Sequence, residues 1–462
     1  MDRLSQPFGG YYQTATPEIE PELTRAGPGT PMGEYLRRFW QPVGLTRDLT
    51  ELPKVVRVMD ENLVLFRDRS GRTGLLHRQC CHRQASLEFG RICERGIECR
   101  YHGWRFDVDG TILAMPAEPD DSPAKQALPK ALRQGAYPTH EYKGLIFAYL
   151  GPPDEKPVFP VFDSFEIEGM TMTPYAMTWP CNWLQVLDAI VDPAHTAVLH
   201  SPPDDPQFSE GFGVFGELTF CESEVGVYGA NTRRVDGNIW VRINELILPN
   251  FTQAGAAFAC DGTKVRYFGR SAFTRWVVPA DDTNTHIIAW ANFGEKGDPT
   301  DFNTPEGIDR IEQGEVVKRA YEERQRRPGD YEATTGMGSI TRHRKEHLTA
   351  IDEGVVAMRR RLRKGLRALA GGEVPRQPGE GPEGPWRGPI PTWGGDTVLA
   401  IPADGVGDDR ALLRVVADAV IAIHRDGDGV APEERFSYLE GRLRALEAKD
   451  WRKHQATGDA KA

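Results

Sequence analysis

The segment from residue 80 to residue 102 reads CCHRQASLEFGRICERGIECRYH. It contains two short loops that each offer one thiolate and one imidazole: Cys80 with His82 and, after sixteen further residues, Cys99 with His102. In the two-iron, two-sulfur centre called a Rieske cluster, two cysteines bind one iron and two histidines bind the other. The segment therefore predicts such a cluster, held between two loops of a small domain.

A coincidental scatter of Cys and His, with or without zinc, is the alternative reading of these side chains. A structural zinc site usually takes two cysteines from one loop and two histidines from another. One ligand of each kind per loop suits a binuclear cluster better. Cys81 lies between two predicted ligands, and we interpret it as a packed free thiol.

Length and charge limit the possible classes of protein. A chain of 462 residues is too long for one compact core and suggests two or three domains. The formal net charge of −11 argues against a nucleic-acid partner, which requires a basic face. The start, MDRLSQPFGG, lacks the apolar core of a signal peptide, and no apolar run reaches the length of a membrane span. We expect no membrane association and a cytoplasmic location.

Four segments are predicted along the chain. Residues 1–35 form an N-terminal segment rich in Pro and Gly. Residues 36–154 alternate short apolar runs with turns, which predicts an all-β domain around the cluster loops. Residues 155–375 mix strands, such as 265–268, with helices and predict an α+β domain. Residues 376–462 begin as a linker rich in Pro and Gly and continue as a helical C-terminal extension.

One helical segment, residues 352–369, carries six basic residues outside its apolar side. We interpret these basic positions as a solvated face. Docking of an acidic redox partner or of a neighbouring subunit is the alternative.

A second group of possible ligands begins ninety residues after His102, at Asp192-Pro193-Ala194-His195, and four residues then separate His195 from His200. Helical geometry keeps residues i and i+3 adjacent, and the longer step stays within reach if the helix ends near Pro193. Two histidines completed by a remote carboxylate form the facial triad of non-haem iron oxygenases, which leaves positions open for dioxygen and substrate.

In order and separation, these two motifs resemble the catalytic α subunits of Rieske non-haem iron oxygenases. Residues 327–333, RPGDYEA, and the Glu346-His347-Leu348 triplet resemble the phthalate dioxygenase branch, which includes O-demethylases. The resemblance covers residues 30–370. It implies an α+β fold class: an all-β Rieske domain and an α+β catalytic domain with an antiparallel sheet, followed here by the helical extension.

The resemblance also assigns roles to individual residues. His195 and His200 are implied to bind a mononuclear ferrous iron, with Asp330 as the third ligand and Glu332 as its competitor. Asp192 is implied to bridge a cluster histidine of one subunit to an iron histidine of the next. A helix cap is the alternative role for Asp192. Asp188 is expected to be a structural carboxylate or one that supports a ligand, and direct ligation is the alternative.

The implied function is that of an oxygenase component. Using dioxygen, it hydroxylates or O-demethylates an aromatic, carboxylated substrate. Residues 211–216 match G-x-G-x-x-G without a surrounding βαβ unit, so NADH or NADPH is expected to act only through a separate reductase, with a ferredoxin as a further candidate partner. A homotrimer is implied as well. A non-catalytic Rieske electron-transfer or sensor protein is the alternative.

Two details of the sequence remain for comparison with the structure. Gln84 stands where relatives frequently have Gly. The candidate residues for the substrate pocket are Val198, Ile243, Leu246 and Phe251.

Overall fold

The structure is a computed structural model that describes residues 7–13, 19–166, 171–201, 210–255, 271–293, 319–381, 384–386, 388–403 and 409–451. The predicted strand at 265–268 lies outside these residues. In the described part of the chain, no helix is both long and apolar enough to cross a membrane.

The first region contains eleven short strands in the described residues, paired antiparallel in three sheets of order β1-β11-β10, β2-β3-β4-β9 and β5-β6-β7-β8. The strands are β1 (Gln41–Leu45), β2 (Lys54–Val58), β3 (Glu61–Arg67), β4 (Thr73–His77), β5 (Arg91–Ile92), β6 (Ile97–Glu98), β7 (Arg105–Phe106), β8 (Ile112–Ala114), β9 (Ala136–Tyr137), β10 (Thr139–Tyr142) and β11 (Leu145–Ala148). The helices are α1 (Pro21–Thr24), α2 (Pro31–Leu36) and α3 (Pro123–Ala131).

The hairpin turn between β2 and β3 joins the first region to the second. Met59 and Asp60 form this turn with φ values of 47° and 65°, as a tight two-residue hairpin requires. The Met59 backbone N–H donates to the Pro279 carbonyl at 2.8 Å, and the Asp60 N–H donates to the Ala280 carbonyl at 2.9 Å. The turn therefore docks the first region on a strand of the large sheet.

The second region is built on an antiparallel sheet of order β12-β18-β17-β16-β15-β14-β13, to which β21 adds by pairing with β15. The strands are β12 (Thr171–Trp179), β13 (Glu217–Glu222), β14 (Gly226–Val235), β15 (Asn238–Ile247), β16 (Phe251–Gly255), β17 (Ser271–Asp281), β18 (Asn284–Phe293), β19 (Glu380–Gly381), β20 (Gly384–Pro385) and β21 (Gly395–Leu399). The helices are α4 (Trp183–Ile190), α5 (Thr196–Leu199), α6 (Tyr321–Arg326), α7 (Asp330–Gly336), α8 (Glu353–Ala370), α9 (Arg410–Gly427) and α10 (Pro432–Glu447).

Helices α4 and α7 lie side by side because one buried glutamine bonds to the end of α7 and the segment after it. The Gln185 side chain donates to the carbonyls of Thr334 and Gly338 at 2.8 and 2.9 Å and accepts from the Thr341 N–H at 3.0 Å. At the start of α4, the side-chain Oδ1 of Asn182 accepts from the Leu184 N–H at 3.1 Å, a normal N-cap. These contacts hold the start of α4 beside the end of α7.

The segment from residue 376 onward is part of the folded second region and is not only a linker and an extension. Its strand β21 joins the large sheet, and helices α9 and α10 pack against that sheet over a second hydrophobic core that includes Val416, Val420, Leu439 and Leu443. The helical extension predicted for this segment is present as α9 and α10. The four segment boundaries themselves stay a prediction.

Candidate metal centres

The two cluster loops share one backbone pattern. In the first loop the Cys80 carbonyl accepts from the Gln84 N–H at 2.8 Å, and the Cys80 N–H donates to the Ala85 carbonyl at 2.9 Å. In the second, the Cys99 carbonyl accepts from the Gly103 N–H at 2.9 Å, and the Cys99 N–H donates to the Trp104 carbonyl at 2.8 Å. Gln84 and Gly103 are both left-handed, with φ values of 62° and 76°. Equal turns therefore present one thiol and one imidazole from each side.

The side chains of these loops pair by type. Cys80 and Cys99 are buried at 1% and 2% exposure. Burial, together with a smaller effect of the neighbouring Cys99, raises the pKa of the Cys80 thiol to about 12. The imidazole rings of His82 and His102 lie with their centroids 4.7 Å apart, and the Trp104 ring stacks on His82 at 4.4 Å.

This donor set fits a two-iron, two-sulfur cluster. Two adjacent buried sulfurs are poor sites for negative charge unless a cation is bound. Burial and the neighbouring His102 lower the pKa of His82, and a lower pKa favours the neutral imidazole that binds a metal. Behind the first loop, buried Gln134 accepts from the Cys81 N–H at 2.7 Å and donates to the carbonyls of His77 and Gln79 at 2.8 and 2.9 Å. The sequence reasoning missed Gln134 as a support of the first cluster loop.

The second motif and a remote aspartate meet in one place. His200 Nε2 lies 3.1 Å from Asp330 Oδ1, His195 Nε2 lies 3.5 Å from the same oxygen, and the possible ligand atoms all lie within 4.8 Å of one another. The one-turn helix α5 separates the two histidines, which occupy its two ends. Asp330 reaches them because it opens α7, the helix that Gln185 holds beside α4.

The competing carboxylate, Glu332, has a different partner. Its Oε2 accepts from the Gly329 N–H at 3.0 Å, which caps α7. Burial raises the pKa of Asp330, but the charge and hydrogen bond of His200 outweigh burial, so the pKa is lowered overall. A carboxylate ionised beside two imidazoles is the donor set that suits a divalent iron.

Asp192 has the position expected of a residue that orients a ligand. Its Oδ1 accepts from the Ala194 N–H at 3.0 Å, and its Oδ2 lies 3.6 Å from His195 Nδ1. Burial lowers the pKa of His195, but the hydrogen bond and charge of Asp192 and the charge of Asp330 raise it overall. Since Nδ1 of His195 faces Asp192, its Nε2 faces Asp330, the third member of the triad.

Asp188 lies in a separate buried cluster, as expected for a structural carboxylate. Arg359 donates from Nε and Nη2 to the Asp188 oxygens at 3.0 and 2.5 Å, and from Nη1 and Nη2 to Glu346 at 2.6 and 3.0 Å. His343 is buried within reach of both carboxylates. Because a guanidinium already holds both carboxylates, we assign no metal here.

The interpretation of the basic positions of α8 as a solvated face is wrong for Arg359, which is 5% exposed.

The cavity beside the triad has aromatic walls and two cationic side chains. Arg242 and Arg275 line it together with Phe212, Phe273 and Trp179. None of the four candidate pocket residues is among its lining residues. Those predictions are wrong for a geometric reason. Val198 is 67% exposed, and Leu246 and Phe251 are buried in a hydrophobic core that includes residues of both regions. Ile243 points to the opposite face of β15 from Arg242.

Comparison with known proteins identifies the family. Residues 39–132 match the family model of the Rieske [2Fe-2S] domain. The chain is 39% identical to the tert-butanol monooxygenase / tert-amyl alcohol desaturase oxygenase subunit of Aquincola tertiaricarbonis, over 96% of each chain. The chain belongs to the Rieske non-haem iron oxygenases. It is also 37% identical to the phenoxybenzoate dioxygenase subunit alpha of Ectopseudomonas oleovorans, over 80% of this chain and 90% of that one.

The fold agrees with this assignment. Dicamba monooxygenase bound to dicamba superposes with a TM-score of 0.56 at 17% identity, over 73% of this chain and 99% of that one. The predicted family and fold class are therefore confirmed. As a member of the family, the chain is the oxygenase component of a multicomponent system. It carries a Rieske 2Fe–2S cluster and a mononuclear iron and receives electrons through a separate reductase. The alternative of a non-catalytic electron-transfer or sensor protein is disfavoured.

Proposed function

We propose that the side chains of the two motifs hold the metal centres of this oxygenase. The buried thiol pair, the adjacent imidazole pair and the compact triad support this proposal. When both centres are bound, the mononuclear iron activates dioxygen and the cluster supplies electrons one at a time. The proposed cluster ligands are Cys80, His82, Cys99 and His102, and the proposed iron ligands are His195, His200 and Asp330.

Asp192 is the proposed connection between centres in neighbouring subunits of a homotrimer. Its side chain is 26% exposed while one oxygen faces His195, so its outer edge is accessible to a cluster histidine of a second copy. Tyr101, at the second cluster loop, and Phe89, between the loops, are 57% and 70% exposed, and such apolar exposure suits a surface that meets another protein. A ferredoxin or the reductase is the further proposed partner.

Asp192→Asn tests the connection. The variant keeps an oxygen for the Ala194 N–H but loses the charge, so we expect a trimer whose cluster is still reduced while product formation falls at least tenfold. Unchanged product formation, or a monomer in wild-type protein at working concentration, would contradict the bridging role.

The proposed substrate is an aromatic carboxylate. The observation that carries this proposal is the presence of Arg242 and Arg275 beside the triad, between Phe212 and Phe273. The described residues lining this cavity include two guanidinium groups and one carboxylate, Asp330. Guanidinium groups bind carboxylates in a bidentate manner, and aromatic walls suit a ring. The reaction is a ring hydroxylation or an O-demethylation.

A small tertiary alcohol is a second candidate substrate. The observation that favours it is the match with the tert-butanol monooxygenase subunit, which spans 96% of both chains. An alcohol needs no compensating cation, so the two candidates differ in whether binding depends on substrate charge.

The test is dioxygen uptake with product analysis, using the iron-loaded protein, a generic reductase and NADH. The panel contains phthalate, 3-methoxybenzoate, neutral aromatics and tert-butanol, and His195→Ala is the control. We expect product only from aromatic carboxylates and none from the control, whose iron content should fall from about three atoms per chain to about two. Turnover of tert-butanol alone would replace the aromatic proposal. Full iron content in the control would contradict the ligand assignment.

A further inference from the structure

Strand β21, from the segment predicted as a linker and extension, lies against the strand that carries a pocket arginine. It pairs antiparallel with the first half of β15, with Arg242 opposite Asp396 and Ile243 opposite Gly395, and β16 pairs with the second half of β15. Directly opposed residues of paired strands have their side chains on the same face. Asp396 therefore shares a face with Arg242, which lines the cavity beside the triad.

The Asp396 carboxylate is buried, accepts one indole hydrogen bond and lies near Arg242. It is 1% exposed, and its Oδ1 accepts from the Trp240 indole N–H at 2.7 Å while lying 3.9 Å from Arg242 Nη1. Gly255, at the end of β16, leaves the space that the carboxylate occupies, because a Cβ there would lie 1.9 Å from Asp396 Oδ2. The Arg242 guanidinium also lies over the Phe212 ring at 4.9 Å.

We propose that Asp396 is a positioning residue for Arg242, and that the C-terminal strand thereby forms part of the substrate site. The proposal rests on the proposed function, in which Arg242 binds the substrate carboxylate. A guanidinium has five N–H donors in a rigid plane, so its use as a bidentate anchor depends on the orientation of that plane. An anion on one side of Arg242 favours one orientation of the guanidinium, and Arg242 lines the cavity.

The electrostatic setting agrees with this role. Burial lowers the pKa of Arg242, the Asp396 charge opposes that effect, and the nearby Arg275 adds to it. A buried cation next to a second cation is costly without a nearby anion. In the sheet, β21 supplies that anion from a part of the chain about 150 residues away in sequence.

A purely structural role for Asp396 makes a different prediction. If the carboxylate only stabilised the sheet, its loss would lower stability and affect all ligands alike. If it positions Arg242, its loss weakens the binding of carboxylates selectively. The pair of probes that separates the two roles is 3-methoxybenzoate and the neutral, equally shaped 3-methoxybenzamide.

The experiment is calorimetric binding of both probes to the full-length, iron-loaded protein without reductant. The variants are Asp396→Asn, Arg242→Gln and the double variant. Asp396→Asn keeps an acceptor for Trp240 and removes only the charge. The matched control is Asp409→Asn, which removes a different Asp–Arg pair of the C-terminal segment, with Arg234, away from the cavity.

We expect Asp396→Asn to bind 3-methoxybenzoate about tenfold more weakly and 3-methoxybenzamide within about twofold of wild type. In the Arg242→Gln background, the same substitution should add little, because the residue acts through Arg242. The control should match wild type for both probes. If Asp396→Asn does not fold, Gly255→Ala, which displaces the carboxylate and keeps its charge, takes its place.

Equal weakening of both probes, no weakening, or a full additional effect in the Arg242→Gln background would each overturn the positioning role. The failure of the underlying proposal has a different signature. If wild-type protein does not distinguish the two probes, the carboxylate substrate itself is wrong. If Arg242→Gln loses 3-methoxybenzoate and Asp396→Asn does not, only the role of Asp396 is wrong.

Discussion

Arg359→Met is expected to destabilise the protein strongly. The buried Arg359 guanidinium bonds to two partly buried carboxylates, Asp188 and Glu346, and among their described contacts it is the only guanidinium. The side chains of Arg359 and Asp188 are 6% and 14% exposed, and that of Glu346 is 23% exposed. Breaking a buried ion pair costs roughly 3–5 kcal/mol. Since Glu346 is partly solvated, we expect the low end, about 3 kcal/mol.

The loss should grow with pH. Burial raises the pKa of Asp188 to about 6 even though the Arg359 charge lowers it. Without Arg359 the folded-state pKa rises further above the unfolded value, so the folded state binds the proton more tightly. When the folded-state pKa of a carboxyl group lies above its unfolded-state pKa, the protein loses stability as the pH rises from the unfolded-state value to the folded-state value. The loss is up to about 1.4 kcal/mol per pH unit. Arg359→Met should therefore be more harmful at pH 8 than at pH 6.

Urea unfolding followed by pulse proteolysis at pH 6 and pH 8 measures this effect. With a slope of about 3 kcal/mol/M, a loss of 3 kcal/mol moves the midpoint by about 1 M. Arg363→Met is the matched control, since Arg363 lies one turn later in α8 and also holds two carboxylates, Glu20 and Glu22, but is 28% exposed. Its loss should stay below about 1 kcal/mol. Equal shifts for the two variants, or a larger shift at pH 6, would refute the reasoning.

The cluster loops yield three further predictions. Gln134→Leu removes the hydrogen-bond partner of three backbone groups at the first loop. Stability should therefore fall by about 2–4 kcal/mol, and the iron and sulfide content should drop. Unchanged stability with full iron and sulfide content would contradict this prediction. Gln84→Gly removes the strain of a side chain at a left-handed backbone position and should raise stability by about 0.5–1 kcal/mol in urea unfolding. Gly103→Gln at the matching turn should lower stability. A loss of stability in Gln84→Gly would mean that the Gln84 side chain is needed. Trp104→Leu removes the ring stacked on His82 and should speed the loss of cluster absorbance in air, a rate that stays unchanged if the stack is incidental.

The proposed ligands could be found from the sequence because they lie in short local motifs. The four cluster ligands fall within 23 residues, and the spacing in each loop corresponds to one turn of backbone. His195 and His200 are likewise separated by a single turn. Asp330 lies 130 residues further on, and only the family resemblance pointed to it. Its approach depends on Gln185, whose role in joining α4 to α7 no local pattern indicates.

The substrate cavity could not be predicted in the same way, because strand pairing assembles it. Arg242 gave a signal, a charged residue between Val241 and Ile243 in an apolar strand, yet its direction depends on which face of the sheet meets the triad. Asp396 gave none, since it follows a stretch of Pro and Gly that reads as a linker. The basic residues of α8 failed for a related reason: helical periodicity does not reveal that Arg359 meets Asp188 from another helix.

Gly255→Ala separates the position of the Asp396 charge from its presence. The added Cβ would lie 1.9 Å from Asp396 Oδ2, which is too close for two non-bonded heavy atoms, so the carboxylate must move away. Backbone strain does not contribute, because Gly255 is not among the glycines with positive φ. We expect binding of 3-methoxybenzoate to weaken by about threefold to tenfold with 3-methoxybenzamide unaffected. Gly237→Ala, at the turn before β15 with no atom within 4 Å of its Cβ, is the control and should bind both probes as wild type does. If Gly255→Ala binds 3-methoxybenzoate normally although Asp396→Asn does not, the charge acts on Arg242 without fixing its orientation, and the positioning role must be given up for a purely electrostatic one.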